Sequence, residues 1–279
     1  MKLPDTMQKA SDEQWLSFLL KSVSTQVIDG VEFPGFPPSD LQARFVGSSN
    51  EGALNEAFRF YQFVKRNAEN AGAPLRPEQK LLDFGCGWGR YLRFFWKDIA
   101  SENLHGCDVD PEALEVCRRT KVPGNLALIT TDGRLPYPDA HFNVIMAYSV
   151  FTHLPEKSHL HWMEEIARVA APGCIFCLTL EPRRFIDFVA GLSANAENRW
   201  YRALARYASE VQGYYRAFDA GEIAYLPTGG GPILNSSVYG DAVVPLSYIK
   251  KKWAPYFEVK QYIDDRTQFW QAALAVQRK

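Results

Sequence analysis

The 279-residue chain has no excess of charge of either sign: 31 Lys and Arg stand against 32 Asp and Glu, for a formal net charge of −1. A chain so balanced sets up no global field that would recruit nucleic acid or an anionic membrane surface. It also lacks an apolar run of the roughly 20 residues needed to span a bilayer, and its first residues do not read as a secretion signal. Cysteine is sparse and odd in number, five in all. It has no framework spacing, so a reduced, cytoplasmic setting is expected. Cys174 and Cys177 form a C-x-x-C, but residues three apart on an expected strand point to opposite faces, which argues against a shared metal or redox pair. Histidine is equally scarce. His159 and His161, two apart on an expected helix, do not share a face, and no acid-and-histidine constellation calls for a metal. Also missing is the G-x-G-x-x-G fingerprint of dinucleotide-binding folds. What is present is 47% hydrophobic residues, enough for one large α/β domain with a buried core.

In place of that fingerprint stands Leu81-Leu82-Asp83-Phe84-Gly85-Cys86-Gly87-Trp88-Gly89-Arg90, with Arg90 where a third fingerprint glycine would fall. Lys80 to Phe84 is apolar apart from Asp83, which suits a buried parallel strand. Gly85, Gly87 and Gly89 allow positive φ and the close approach of a ligand. Leu92, Phe95, Trp96 and Ile99 are spaced three and four apart, so a helix is expected from Arg90. A strand, a glycine turn and a helix N-terminus make a nucleotide site, because free backbone N–H groups point at the ligand. Pyrophosphate would be poorly served by the Asp83 carboxylate, whereas a cationic group would be well served. Nineteen residues after Gly89, Leu104-His105-Gly106-Cys107-Asp108 ends in a second acid, where a ribose-binding carboxylate sits in such folds. A ligand with ribose hydroxyls and a positive charge but no phosphate, such as S-adenosylmethionine, fits these residues better than NAD.

The run from Leu81 to Arg90 followed by Gly106-Cys107-Asp108 resembles the first two motifs of class I S-adenosylmethionine-dependent methyltransferases. The resemblance continues through Thr131-Asp132-Gly133, Phe142-Asn143-Val144-Ile145, Phe151-Thr152-His153-Leu154 and the stretch from Ile166 to Gly173. It covers roughly residues 75 to 180, and the last thirty loosely. Trp88, bulky where the family often has a smaller residue, and Cys174, where a second glycine is usual, depart from the pattern. The resemblance implies a doubly wound, mostly parallel seven-stranded sheet of the Rossmann-like methyltransferase kind, with S-adenosylmethionine as cofactor. It implies that Asp83 holds the methionine amino group and Asp108 the ribose hydroxyls, with Val109 beside it. Asp132 would read the adenine amino group, with Gly133 adjacent, and Phe84, Gly85, Cys86, Gly87, Gly89 and Arg90 would form the turn. Tyr148 and Ser149 complete the cofactor side.

Around that core, residues 1–74 read as an N-terminal helical extension, which in the family often lies over the cofactor as a lid. One helix is expected from Ser11 to Val27, with Ser11 and Gln14 in a capping box, and a second from Glu51 to Ala71, stopped by Gly72. Residues 75–279 read as the methyltransferase domain. Asp110 caps a helix opening at Pro111. Strands are expected at 126–130, 143–148 and 175–180, and two more at 257–263 and 268–276, joined by a tight Asp264-Asp265 turn. Residues 182–240 break the pattern as an insertion after the fifth strand. It is rich in aromatics and arginines and includes Gly229-Gly230-Gly231-Pro232.

Tyr148 and His153 follow the fourth strand and are the candidate catalytic residues. Methyl transfer to oxygen needs alignment and sometimes a base, and imidazole titrates near 6.5 in its unperturbed form. The alternative role for His153 is packing before Pro155. Arg183, Tyr214 and Arg216, with His153, are the candidate acceptor contacts, because aromatic faces pack on sugar rings and arginines bind carboxylate or phosphate. The pattern Phe36-Pro37-Pro38-Ser39-Asp40-Leu41 and Arg44-Phe45-Val46-Gly47 is similar to methyltransferases found with bacterial polysaccharide enzymes. A small-molecule, sugar or glycan hydroxyl is therefore the expected acceptor. The alternatives are a small aromatic or lipid-like acceptor, or a non-catalytic adenosyl-binding interaction protein. The insertion's aromatics can equally form its own core or a homodimer interface.

Overall fold

The computed structural model describes residues 3–230 and 234–279, so Gly231 and Pro232 of the glycine-rich stretch lie outside it. Among the described residues the strands are β1 (Val27–Ile28), β2 (Val31–Glu32), β3 (Leu81–Phe84), β4 (Leu104–Asp108), β5 (Asn125–Leu128), β6 (Phe142–Ala147), β7 (Ala170–Leu180), β8 (Ala224–Leu226), β9 (Asp241–Val243), β10 (Phe257–Ile263) and β11 (Ala272–Arg278). Seven of them form one sheet in the order β10-β11-β7-β6-β3-β4-β5, and β1-β2 and β8-β9 are separate pairs. β3 is parallel to β4 on one side and to β6 on the other, β4 is parallel to β5, and β10 is antiparallel to β11. This is the doubly wound, mostly parallel architecture expected from alternating strands and helices. Leu81 lies opposite both Leu104 and Val144. The strand order reverses at β3, and in open α/β sheets the ligand crevice opens at the carboxyl end of such a strand.

The chain divides into two compact units, residues 1–147 with 169–176, and residues 148–168 with 177–279. In the first, the N-terminal helices Asp12–Lys21 and Asn50–Asn70 pack on each other and on the segment Leu92–Phe95. The helix Asp12–Lys21 opens on the expected capping box, with Gln14 N donating to Ser11 Oγ at 3.2 Å and Ser11 N to Gln14 Oε1 at 2.8 Å. It ends at Lys21 rather than near Val27. Beyond that point Ser22 and Ser24 hydroxyls bond the carbonyls of Leu19 and Lys21 and compete with further helix, and Val27 and Ile28 pair as β1 instead. Trp15 is fully buried, and its indole donates to the Phe94 carbonyl at 2.9 Å. The helix Asn50–Asn70 buries Leu54, Ala57, Tyr61 and Val64. Lys65 and Lys97 both pair with Asp12, at 2.6 and 2.7 Å. The helix expected from Arg90 is a single α-turn, Leu92–Phe95, all of it buried. With no solvent face left, packing decides that segment and periodicity does not.

In the second unit, the helices Arg184–Ala190, Arg199–Ala205 and Val211–Asp219 surround a cluster of Phe185, Ile186, Val189 and Leu204, with Trp200, Tyr207, Tyr214 and Tyr215 packed on it. The insertion's aromatics thus form a core of their own. β10 matches its expected bounds, but its connection to β11 runs from 264 to 271 and is not a tight Asp264-Asp265 turn. Asp265 accounts for the difference. Its Oδ1 accepts from Thr267 N and Oγ1 at 2.9 and 2.7 Å, and its Oδ2 from Gln268 at 2.7 Å, which folds these residues into an Asx turn. Arg184 holds the far side through the Phe269 and Trp270 carbonyls and an ion pair with Asp264.

Candidate active site

β3 is apolar and buried along its length, so the one acid in it is forced into the core. Asp83 is 1% exposed, and burial first, then the neighbouring Asp108, pushes its carboxyl up to about 8, against the pull of Arg90. Its Oδ2 is buried without a hydrogen-bond partner. Such an oxygen is costly unless a ligand serves it, and a cationic group is the partner that restores the carboxylate.

Past Phe84 the chain turns sharply, with Gly85, Gly87 and Gly89 at φ +78°, +51° and +76°. Gly85 N and Cys86 N both donate to the Cys107 carbonyl, at 2.8 and 3.0 Å, which ties the turn to β4. Gly89 is fixed by packing as well as by φ, since a Cβ there would lie 2.5 Å from a Val122 methyl. At Gly87 a Cβ would meet the Phe45 ring at 3.5 Å, so the N-terminal segment covers the middle of the turn. Trp88 is buried against Phe36, and the Arg93 guanidinium lies 4.9 Å over its ring. The bulky departure from the family pattern is therefore what the N-terminal extension packs on. Arg90 reaches the same segment. Its guanidinium donates to the Ala53 carbonyl at 3.1 Å and to Glu56 at 3.2 Å, so its side chain clamps the helix 50–70 to the turn.

Asp108, at the end of β4, accepts from Gly87 N at 2.8 Å through Oδ2 and from Asp110 N at 2.9 Å through Oδ1. Burial raises its pKa, and these amides oppose the shift. The Val109 amide opposes it as well, and of the roughly four lone-pair sites of a carboxylate at least one remains. Val109 follows, and Asp110 is the helix cap, accepting from Glu112 N at 2.8 Å. Asp132 is exposed in the turn after β5, next to Gly133, whose N donates to the Thr130 carbonyl at 3.3 Å. Cys86 is buried, and its hydrogen bond to Cys117, with burial, raises its thiol well above the ordinary range. No group of three or more metal-ligating side chains occurs among the described residues. His159 is buried, accepts from the Trp253 indole at 3.2 Å, and is pushed down to about 3 by burial.

The second unit brings together a separate set of polar groups. Tyr148 is half-buried at the end of β6. Ser149 adopts φ +58°, a left-handed backbone rare for a non-glycine residue, with its N–H donating to Thr179 Oγ1 at 2.8 Å. The Ser149 hydroxyl lies 3.0 Å from Gln271 Nε2, 3.4 Å from Thr152 Oγ1 and 3.4 Å from His153 Nε2. His153 Nδ1 is 2.7 Å from the Gly240 carbonyl, and Gly240 N donates back to the His153 carbonyl at 2.9 Å. A carbonyl can only accept, so Nδ1 carries the proton and Nε2 keeps its lone pair. The ring stacks on Tyr239 at 4.4 Å, and buried Asp241 stands 3.7 Å from Nδ1. Glu181, at the end of β7, is 3% exposed. Burial first raises it to about 8; Asp241 adds to the shift, while the hydrogen bond from Gln271 opposes it.

Of the insertion residues expected at the acceptor, Arg183 pairs with Asp219 at 3.0 Å and lies over Tyr215. Tyr214 packs on the insertion's own cluster with its hydroxyl 3.3 Å from Glu210, and Arg216 is exposed. Glu181, Gln271, Asp241 and Tyr239 join His153 without having been singled out in the sequence. Glu181 carried a usable signal, an acid directly after an apolar strand, the same one that marks Asp83 and Asp108.

The family of methyltransferase domains matches residues 81–173. The chain is 32% identical over 133 residues to 27-O-demethylrifamycin SV methyltransferase of Amycolatopsis mediterranei, covering 44% of this chain and 46% of that protein. It is also 32% identical over 111 residues to demethylmenaquinone methyltransferase of Tropheryma whipplei, covering 39% and 45%. The chain thus spans less than half the length of these curated relatives. Among solved structures, an S-adenosylmethionine-dependent methyltransferase from Clostridium acetobutylicum has the same fold, with a TM-score of 0.54, 11% identity, and coverage of 79% of this chain and 91% of that one.

Proposed function

We propose, from the match of residues 81–173 to methyltransferase domains, that the core of this chain is a class I S-adenosylmethionine-dependent methyltransferase domain and that the protein methylates a hydroxyl of a small molecule, a sugar or glycan intermediate. The observation that carries the cofactor half is the unpartnered, buried Asp83 carboxyl beneath the glycine turn. S-adenosylmethionine, when bound, supplies an electrophilic methyl group on a cationic sulfur and brings an ammonium group. Asp83 would take that ammonium, and Asp108 the ribose hydroxyls, with the lone-pair capacity that the Gly87, Val109 and Asp110 amides leave free. Asp132 and Gly133 would read the adenine, and the backbone of Phe84 to Arg90, with Val109, shapes the turn. Tyr148 and Ser149 are assigned to the methyl-donor end.

The acceptor half rests on His153. Its Nε2 lone pair takes the proton that the acceptor hydroxyl sheds as it is methylated, while the Gly240 carbonyl holds Nδ1 as the donor. Oxygen as the methylated atom is supported by the rifamycin relative, whose name describes an O-demethyl substrate. A sugar is supported by the cluster of hydrogen-bonding side chains around His153 and by the N-terminal Phe36–Gly47 pattern. The ring of Tyr239 stacked on His153 favours a second reading, a small aromatic acceptor. Arg183 and Tyr214 are engaged within the insertion and are assigned no acceptor contact.

The test has two stages. Calorimetry with S-adenosylmethionine, S-adenosylhomocysteine and NAD should give heat with the first two alone. Silence from both adenosyl ligands overturns the cofactor assignment. Radiolabelled methyl transfer into sugar nucleotides, glycans and small phenols should then label sugars in wild type and lose at least tenfold in rate in His153→Ala. Label in phenols alone selects the second reading. Cofactor binding without label in any acceptor favours a non-catalytic adenosyl-binding protein.

A further inference from the structure

Four side chains of the second unit form a hydrogen-bond chain whose direction can be worked out from one end. The Gly240 carbonyl fixes the proton of His153 on Nδ1, which leaves Nε2 as an acceptor facing Ser149 Oγ. At the other end, Gln271 Nε2 lies 3.0 Å from Ser149 Oγ and 3.0 Å from Glu181 Oε1. An ionised carboxylate only accepts, so the amide nitrogen faces it and spends its two N–H groups on Glu181 and Ser149. Ser149 Oγ therefore accepts from Gln271 and has one proton left. Its 3.4 Å separation from His153 Nε2 is longer than an ordinary hydrogen bond, whereas the Gln271 contact is of normal length. The acceptors within reach of that remaining proton are His153 Nε2 and Thr152 Oγ1, both at 3.4 Å. The left-handed backbone of Ser149 is braced by Thr179, whose hydroxyl accepts from its N–H.

We propose that Gln271 and Glu181 are positioning residues that act through Ser149 to set whether its hydroxyl covers the Nε2 lone pair of His153 or leaves it open to an acceptor hydroxyl. The proposal rests on the assignment of His153 as the proton acceptor. It also gives a role to Gln271 Oε1, which is buried and receives no donor among the described residues. With the amide nitrogen turned to Glu181 and Ser149, the oxygen is turned away from both. Once Glu181 is protonated, its O–H needs an acceptor. The amide then turns to present Oε1, which also lies within reach of Ser149 Oγ, so it accepts the Ser149 proton as well and leaves Nε2 of His153 uncovered. The groups facing Glu181 are Asp241, which favours the proton, and Gln271 and Arg184, which oppose it. Asp241 itself is held by Thr228 at 2.6 Å and by the Trp200 indole. Ionisation of Glu181, raised to about 8, should therefore register on a histidine that Glu181 does not touch.

Nitrogen NMR of histidine-labelled protein, without cofactor or acceptor, reads this directly. His153 is assigned by the resonance missing from His153→Gln. In wild type its Nε2 signal should show an inflection near pH 8, as ionisation of Glu181 turns the Ser149 proton toward Nε2. That inflection should vanish in Glu181→Gln and in Ser149→Gly, which removes the hydroxyl while suiting the left-handed backbone. Gln271→Leu, which can neither donate to Ser149 nor accept from it, should hold Nε2 in its hydrogen-bonded position on both sides of pH 8, and if that variant does not fold, Ser149→Gly carries the test. Absence of the inflection in wild type, or its persistence in the variants, overturns the proposal. Calorimetry with S-adenosylmethionine on the same samples reports separately on the methyltransferase assignment. A wild type that shows the inflection but binds no cofactor would sink that assignment and leave the hydrogen-bond chain standing.

Discussion

Asp108 serves two backbone amides at once, Gly87 N in the glycine turn and Asp110 N at the head of the next helix. It is therefore both a structural tie and the proposed ribose ligand, and the two roles separate by measurement. Asp108→Ala should lose charge-assisted hydrogen bonds worth roughly 1.5–3 kcal/mol each, lowering the urea midpoint. Calorimetry under conditions where the variant is folded should also find S-adenosylmethionine affinity at least tenfold weaker. A lower midpoint with unchanged affinity would leave Asp108 as a tie alone. Asp83 makes a different prediction. A carboxyl raised to about 8 is protonated at pH 7, and a cationic ligand beside it lowers that value again. Binding of S-adenosylmethionine at pH 7 should release a proton, so the observed heat should differ between phosphate and Tris buffers. Asp83→Asn should abolish the difference and weaken binding. Equal heats in both buffers for wild type would show that no ligand charge reaches Asp83.

At the scale of the element, features with a local cause were readable in the sequence and convergent ones were not. The capping box at Ser11, the cap at Asp110 and the run Phe257–Ile263 each follow from neighbours in the chain. The glycine turn was readable because an acid at the end of an apolar strand is anomalous. Gln271 was not, since it meets Ser149 across 122 residues and only the folded sheet joins them. The aromatics of 182–240 left two readings open for a related reason, because composition cannot separate a ring that lines a pocket from one that packs on its own insertion. Two elements allow direct tests. Gly89→Ala must place a Cβ 2.5 Å from Val122 at φ +76°, whereas Gly72→Ala at φ +75° meets nothing within 4 Å. The first should cost several kcal/mol in urea unfolding, and the second only the roughly 1 kcal/mol of left-handed backbone. Similar costs would mean that Val122 moves aside. Phe45, which covers Gly87 and is only half-buried, belongs to the proposed lid. Phe45→Ala should speed S-adenosylmethionine dissociation several-fold with a small change in melting temperature. An unchanged dissociation rate would leave the extension as packing.

For the whole molecule, the buried titratable groups set how stability varies with pH. Asp83 and Glu181 are both raised to about 8 from ordinary values near 4, while His105 and His159 are lowered to about 4 and about 3. The native state holds protons on the two carboxyls that the unfolded chain has already released, so each makes stability fall as pH rises from about 4 to about 8. The unfolded chain holds protons on the two histidines that the native state refuses, so each makes stability rise with pH up to the unfolded imidazole value near 6.5. Asp108, also raised, and His141, also lowered, add to the respective sides. Below pH 6.5 the two pairs oppose each other and the profile should be nearly flat. Between pH 6.5 and 8 only the carboxyls act. Two protons at about 1.4 kcal/mol per pH unit each then give a loss of about 4 kcal/mol at most. Urea unfolding at pH 6.5 and pH 8 should record that fall, and Asp83→Asn combined with Glu181→Gln should flatten it. Asp83 lies in the first unit and Glu181 in the second. If the units unfold in separate steps, each step should therefore carry one carboxyl's share, and each single substitution should flatten only its own. A wild-type profile that rises from pH 6.5 to 8 would mean that these carboxyls are ionised in the folded protein. Asp83 would then have to be solvated or paired, which would remove the argument for a cationic ligand at the glycine turn.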